Sequence, residues 1–232
     1  MKKRDIYFII GVIIFFAPFF LSAKLYNLYT SFNAEHGIIM SFIKFAVLAT
    51  LGEVIGLRIR TGYYNNKGFG IVPRAIVWGF LGLTIKLAMI VFSTGMPIFV
   101  QYIGINGAVS SMSSAMSLTK IIVAFSISVG MNFIFAPVMM TLHKITDTHI
   151  IANGGTLRGL IKPIKFGKII SELNWNIQWN FVFKKTIPFF WVPAHTITFL
   201  LPEEMQVLFA ALLGVALGVI LSVVGQMGGR KQ

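Results

Sequence analysis

Six apolar runs divide this sequence, and lysine and arginine crowd into every second gap between them. The runs cover residues 6–23, 38–57, 73–94, 118–142, 186–202 and 205–224. Each is near the roughly 20 residues that an α-helix needs to cross a hydrocarbon core. Lipid offers no water to the backbone, so each run must close its own hydrogen bonds as a helix. The pattern predicts an all-α integral membrane protein, folded as a single domain: a compact bundle of about six transmembrane helices.

The charges orient it. Inner segments receive Lys2, Lys3 and Arg4, then Arg58, Arg60, Lys67 and Arg74. They continue with Lys144, Arg158, Lys162, Lys165, Lys168, Lys184 and Lys185, and close with Arg230 and Lys231. Outer segments hold only Lys24, while Lys44, Lys86 and Lys120 fall inside spans. Cytoplasmic loops keep their basic residues, so both termini are predicted to be cytoplasmic and the span number even. The setting this implies is the inner (cytoplasmic) membrane of a bacterial cell. The first run, with its basic start and Leu21-Ser22-Ala23, also reads as a cleavable signal peptide, which would leave five spans.

Composition supports lipid as the solvent. Hydrophobic residues make up 56% of the chain and charged residues 12%, about half the charged share of a soluble domain. The net charge of +13 is then explained by loops facing anionic lipid, not by nucleic acid. The chain has no cysteine, which excludes disulfides, thiolate nucleophiles and Cys-based metal sites.

The longest inner loop runs from 143 to 185. Within it, Lys162, Lys165 and Lys168 recur every third residue among Ile161, Ile164, Ile169 and Leu173. This spacing predicts a basic amphipathic helix over 159–173, lying on the inner leaflet and binding anionic lipid. A solvated basic loop is the alternative. Trp175 and Trp179 mark the return to the interface.

Gly52/Gly56 and Gly214/Gly218 are small-xxx-small pairs, which let helix backbones approach closely in lipid. Pro73 and Pro188 fit first turns, where a missing N–H costs little. Pro137 and Pro193 lie deeper and should kink their helices, freeing the carbonyls of Phe133 and Phe189. Pairing the second span with the third and the fourth with the fifth also gives a weak parallel repeat, with Pro73 and Pro188 in equivalent places.

Ionisable groups inside spans are costly, which makes them candidates for function. Glu53 and Arg74 sit at one membrane level on successive spans and are expected to pair. Lys86, Asn132 and His195 lie deeper. These five are candidates to line or gate a pathway, with a purely structural role as the alternative for each. His143 and Asp147, four residues apart, share a helix face at the inner mouth. No H-E-x-x-H, Walker or G-x-S-x-G motif is present, so no metal, cofactor or enzymatic activity is expected.

Leu51-Gly52-Glu53, Gly79-Phe80-Leu81-Gly82, the stretch W-V-P-A-H-T-I-T-F-L-L-P from Trp191 to Pro202, and Leu221-Ser222 resemble the motifs of the twenty-two-kilodalton peroxisomal membrane protein family, which includes a mitochondrial inner-membrane relative. The likeness covers about 42–222 and leaves the first span as an addition. Leu57, His195, Thr198 and Gln206 depart from the family's Gln, Gln, Asn and Arg, and one proline is displaced by a position. The resemblance implies a small helical channel-like protein for small solutes or metabolites. The sequence thus points to a channel or facilitator, with homo-oligomers in keeping with so few spans. The alternative is a non-transporting scaffold or assembly factor that docks partners on the basic loop.

Overall fold

The computed structural model describes residues 3–229, with side chains to Ile220 and at Ser222. Lys2, Arg230 and Lys231, assigned to inner segments, lie outside the described residues, as does the side chain of Leu221. Every regular element among the described residues is helical. Among the described residues, five helical stretches are long and apolar enough to cross a membrane.

The chain divides into two units, residues 1–40 and 41–232. The first holds α1 (Lys3–Leu21) and α2 (Ala23–Glu35). Ser22 separates them and caps α2 by accepting from the Leu25 N–H at 3.3 Å. The rings of Phe19 and Tyr29 meet edge to face across the joint, 6.0 Å apart. Neither helix has a buried residue.

α3 (Gly37–Thr61) leads into the second unit, which also contains α4 (Ile71–Tyr102), α5 (Ala108–Ser111) and α6 (Leu118–Gly130). α6 runs without interruption through a π-helical segment, π1 (Met131–Phe135), into α7 (Ala136–Ala152). Three short helices follow: α8 (Leu157–Leu160), α9 (Phe166–Glu172) and α10 (Trp175–Ile177). A second π-helical segment, π2 (Gln178–Trp191), continues into α11 (Val192–Leu200), and α12 spans Glu203–Gly229.

Several helix ends follow from the sequence. Ser117 caps α6 through the Lys120 N–H at 3.2 Å. Arg58 and Arg60 occupy the last turn of α3, and Glu203 and Glu204 the first turn of α12. Those placements oppose the partial charges of the helix ends.

The expected kinks take a specific form. Pro137 is the second residue after π1 and Pro193 the second after π2. A proline nitrogen cannot bond to the carbonyl four residues back, and a wider i→i+5 turn just before it absorbs the mismatch. Pro188 departs from expectation. It lies inside π2 rather than in a first turn, because the helix begins well before residue 186. The proposed repeat loses its proline equivalence with it, since Pro73 does sit in the first turn of α4. The Thr186 hydroxyl reaches the carbonyl of Phe181, five residues back, at 3.2 Å, in keeping with the wider turn.

The amphipathic helix expected over 159–173 is not continuous. Residues 161–165 are non-helical between α8 and α9. Pro163 is the reason: its ring removes a donor and disfavours helical backbone at Lys162. Lys162, Lys165 and Lys168 remain exposed, but only Lys168 is on a helix, where it pairs with Glu172 at 3.8 Å.

α6 and α11 pack closely on one another. Val123, Ala124 and Ile127 are fully buried there, and Thr198 with them. Three of the four small-xxx-small glycines are used at a close approach. A Cβ on Gly52 would stand 2.8 Å from the Val215 Cα, one on Gly218 would stand 3.1 Å from the Gly52 carbonyl, and Gly56 abuts Ser222. Gly214 differs: a Cβ there would meet no atom within 4 Å.

Candidate functional site

Arg74 is held by a clasp of loop backbones. Gly68 and Gly70, in the loop before α4, lie against Gly155 in the turn after α7. A Cβ on Gly155 would stand 2.7 Å from the Gly70 nitrogen. Gly70 and Gly155 have φ of +73° and +67°, backbone that other residues resist. The clasp presents Phe69, whose carbonyl accepts from Arg74 Nε at 2.8 Å and whose ring lies 4.4 Å from the guanidinium.

Arg74 then contacts both Glu53 on α3 and Asp147 on α7. The Glu53 carboxylate is further satisfied by Trp78 Nε1–H at 2.7 Å and His143 Nε2–H at 3.0 Å. A carboxylate only accepts, so its contact fixes the proton of His143 on Nε2. The His143 ring lies 4.3 Å from that of Trp78, and its Nε2 is 3.7 Å from Asp147. One node thus ties three helices together. Arg74 and Trp78 are four residues apart, as are His143 and Asp147, so each pair shares a helix face.

Ligand atoms of Glu53, His143 and Asp147 lie within 4.8 Å of one another, the donor chemistry of a metal site. The guanidinium of Arg74 contacts both carboxylates, so an ion would have to compete with a cation already in place.

A second polar group lies deeper. Asn132, on π1, donates from Nδ2 to the Ser128 carbonyl at 2.9 Å, and its amide meets His195 Nδ1, which lies 2.9 Å from Nδ2 and 3.2 Å from Oδ1. Ser128 Oγ donates to the Val192 carbonyl at 2.7 Å. Asn132, Ser128 and His195 are all buried. This network links π1 to α11, and the two prolines bring both elements to it.

The node and the network open onto one cavity of about 300 Å³. Glu53, Trp78 and His143 line it from one group; Asn132 and His195 line it from the other. Between them the wall is apolar, with Met131, Phe135, Met140 and Val182 among its side chains. Two pathway candidates are placed otherwise. Lys86 follows the lining residue Ile85 but is not itself on the cavity wall. Its Nζ lies 3.4 Å from Glu203. One step along a helix turns a side chain by about 100°, which accounts for the difference. Arg74 and Asp147 stand behind the wall and act on the cavity only through Glu53 and His143.

Sequence reading left out Trp78, Ser128 and Gln178. Trp78 was accessible through its i,i+4 spacing from Arg74. Gln178 was not, because the expected span started after it. The other His near the inner segment, His149, is taken up by the Gly159 carbonyl at 3.1 Å and stands outside the node.

No protein-family model, curated protein or solved structure matches this chain.

Proposed function

We propose that this chain is a multi-pass membrane channel or facilitator for small solutes, with the cavity as part of the pathway. One observation carries the reading: polar groups from distant parts of the sequence converge on an otherwise apolar cavity among helices of membrane-spanning length. Buried cavities with a few placed polar groups are the usual form of a small-molecule site. The segment formed by π2 and α11 (14 and 9 residues) supplies a sixth span. Both termini then face the cytoplasm of a bacterial cell, under the positive-inside rule. The resemblance to the twenty-two-kilodalton peroxisomal membrane protein family supports the same function.

Under this reading Glu53 and His143 form the inner end of the path, with Arg74 and Asp147 holding them in place. Asn132 and His195 form its middle. Reconstitution into liposomes with flux measurements tests it. Solute entry above that of empty liposomes, altered by Glu53→Gln and by His195→Ala, is the expected result. Folded protein that passes no ion or small metabolite removes the reading.

The exposure of Lys162, Lys165 and Lys168 favours a second reading, a scaffold that docks on its basic loop. Reversing those three charges would then abolish partner capture while leaving any flux unchanged.

A further inference from the structure

The polar groups on the cavity wall fall into two sets. Glu53 is already satisfied by Arg74, Trp78 and His143. Asn132 is satisfied by Ser128 and His195. Gln178 and Lys144 are uncommitted. Gln178 is 8% exposed, and its side chain has no hydrogen-bond partner among the described residues. Trp191 Nε1 also lacks a partner among them, but it is sealed from the cavity, and Trp191 offers a solute only its ring. His195 Nδ1 lies 2.9 Å from Asn132 Nδ2 and 3.2 Å from Asn132 Oδ1, so His195 is committed to Asn132. Lys144 adds an ammonium on an exposed side chain that also lines the cavity.

A buried amide with nothing to bond is costly. Lys144 is a donor only, and Gln178 is an amide with two donors and one acceptor oxygen. The one carboxylate on the wall is spoken for. A cationic solute finds amide oxygens but no free carboxylate, whereas a carboxylate finds the Lys144 ammonium and the Gln178 amide at one end of the wall, with the rings of Trp191 and His195 at the other.

Register separates those ends. Ala136 packs with Ile187 and Val192, and Met140 and Phe183 join the same cluster. Continued antiparallel, this pairing places Lys144 level with Gln178. Trp191 and His195 lie about three and four turns further along their helix. We propose that the cavity takes a small organic monoanion: a carboxylate between Lys144 and Gln178, and an apolar body along the wall toward Trp191 and His195. This rests on the solute-pathway reading and names the class of solute.

Binding, measured separately from transport, tests it. The full chain is placed in nanodiscs of phosphatidylcholine and titrated with 4-phenylbutyrate, 4-phenylbutylamine and 4-phenylbutanol, with empty nanodiscs as the partition control. The acid should bind saturably and more tightly than the alcohol, and the amine least. Lys144→Gln should weaken the acid about fivefold and leave the alcohol unchanged. Gln178→Leu should weaken it by a similar factor. Gly214→Leu projects a side chain into open space on the cavity wall and should abolish binding of all three probes. This variant adds bulk without removing a contact, so it keeps the test valid if a polar variant does not fold.

Equal or tighter binding of the amine overturns the proposal. So does an acid-to-alcohol ratio unchanged by Lys144→Gln, or binding that survives Gly214→Leu. Saturable binding without liposome uptake would sink the pathway reading and leave the anion site standing. Uptake of other solutes with no acid binding would sink the anion site alone.

Discussion

Arg74 shows how much one side chain can organise. It touches two carboxylates, a loop carbonyl and an aromatic ring, and only 5% of its side chain is exposed. Removing one partner of a buried pair leaves the other uncompensated. Arg74→Gln should therefore cost about 3 kcal/mol in a reversible unfolding measurement. Adding Glu53→Gln should recover part of that loss, with a coupling of roughly 1–2 kcal/mol between the two sites. Strict additivity of the two changes would show that the pair does not interact. Asn132→Leu belongs to the same scale. It strands His195 and the Ser128 carbonyl and should cost about 1 kcal/mol, the range measured for hydrogen bonds between membrane helices.

At the scale of elements, the glycines give a contrast within one helix. Gly218→Val forces a side chain against the Gly52 backbone and should lower thermal stability steeply. Gly214→Ala, one turn earlier, meets open space and should be neutral or stabilising by about 0.5–1 kcal/mol, through helix propensity alone. Both were legible as one motif in the sequence. Spacing identifies residues that permit close approach, but not which of them a neighbour actually uses. The same limit applies to Pro163. The lysine period over 159–173 predicts a helix, and the proline within it breaks that helix. Pro163→Ala should move backbone chemical shifts at 161–165 toward helical values, and unchanged shifts would place the cause elsewhere. The Glu53–Arg74 contact was readable because both residues sit one turn from a predictable boundary. Asn132 and His195 were identified as candidates, but their bond to one another depends on two π segments that no hydropathy pattern announces.

At the scale of the whole molecule, the apolar runs give the helical class and the basic flanks give a threading. Reporter fusions check the threading directly. Fusions within 109–117 should report the face opposite to fusions at Lys165, and the same face for both would reverse the assignment of the inner mouth. The residues of the cavity could not be grouped from sequence, because they come from seven separate elements whose packing depends on glycine contacts and widened turns.

The clasp of Gly68 and Gly70 against Gly155 has a practical use. Two main chains in contact, with no side chain between them, leave almost no slack. A chain lacking native thiols accepts paired spin labels cleanly, for example at exposed Lys67 and Arg158 on either side of the clasp. Their separation should stay constant whether the cavity is empty or filled, giving pulsed-resonance experiments on this protein an internal ruler against which every other distance can be read.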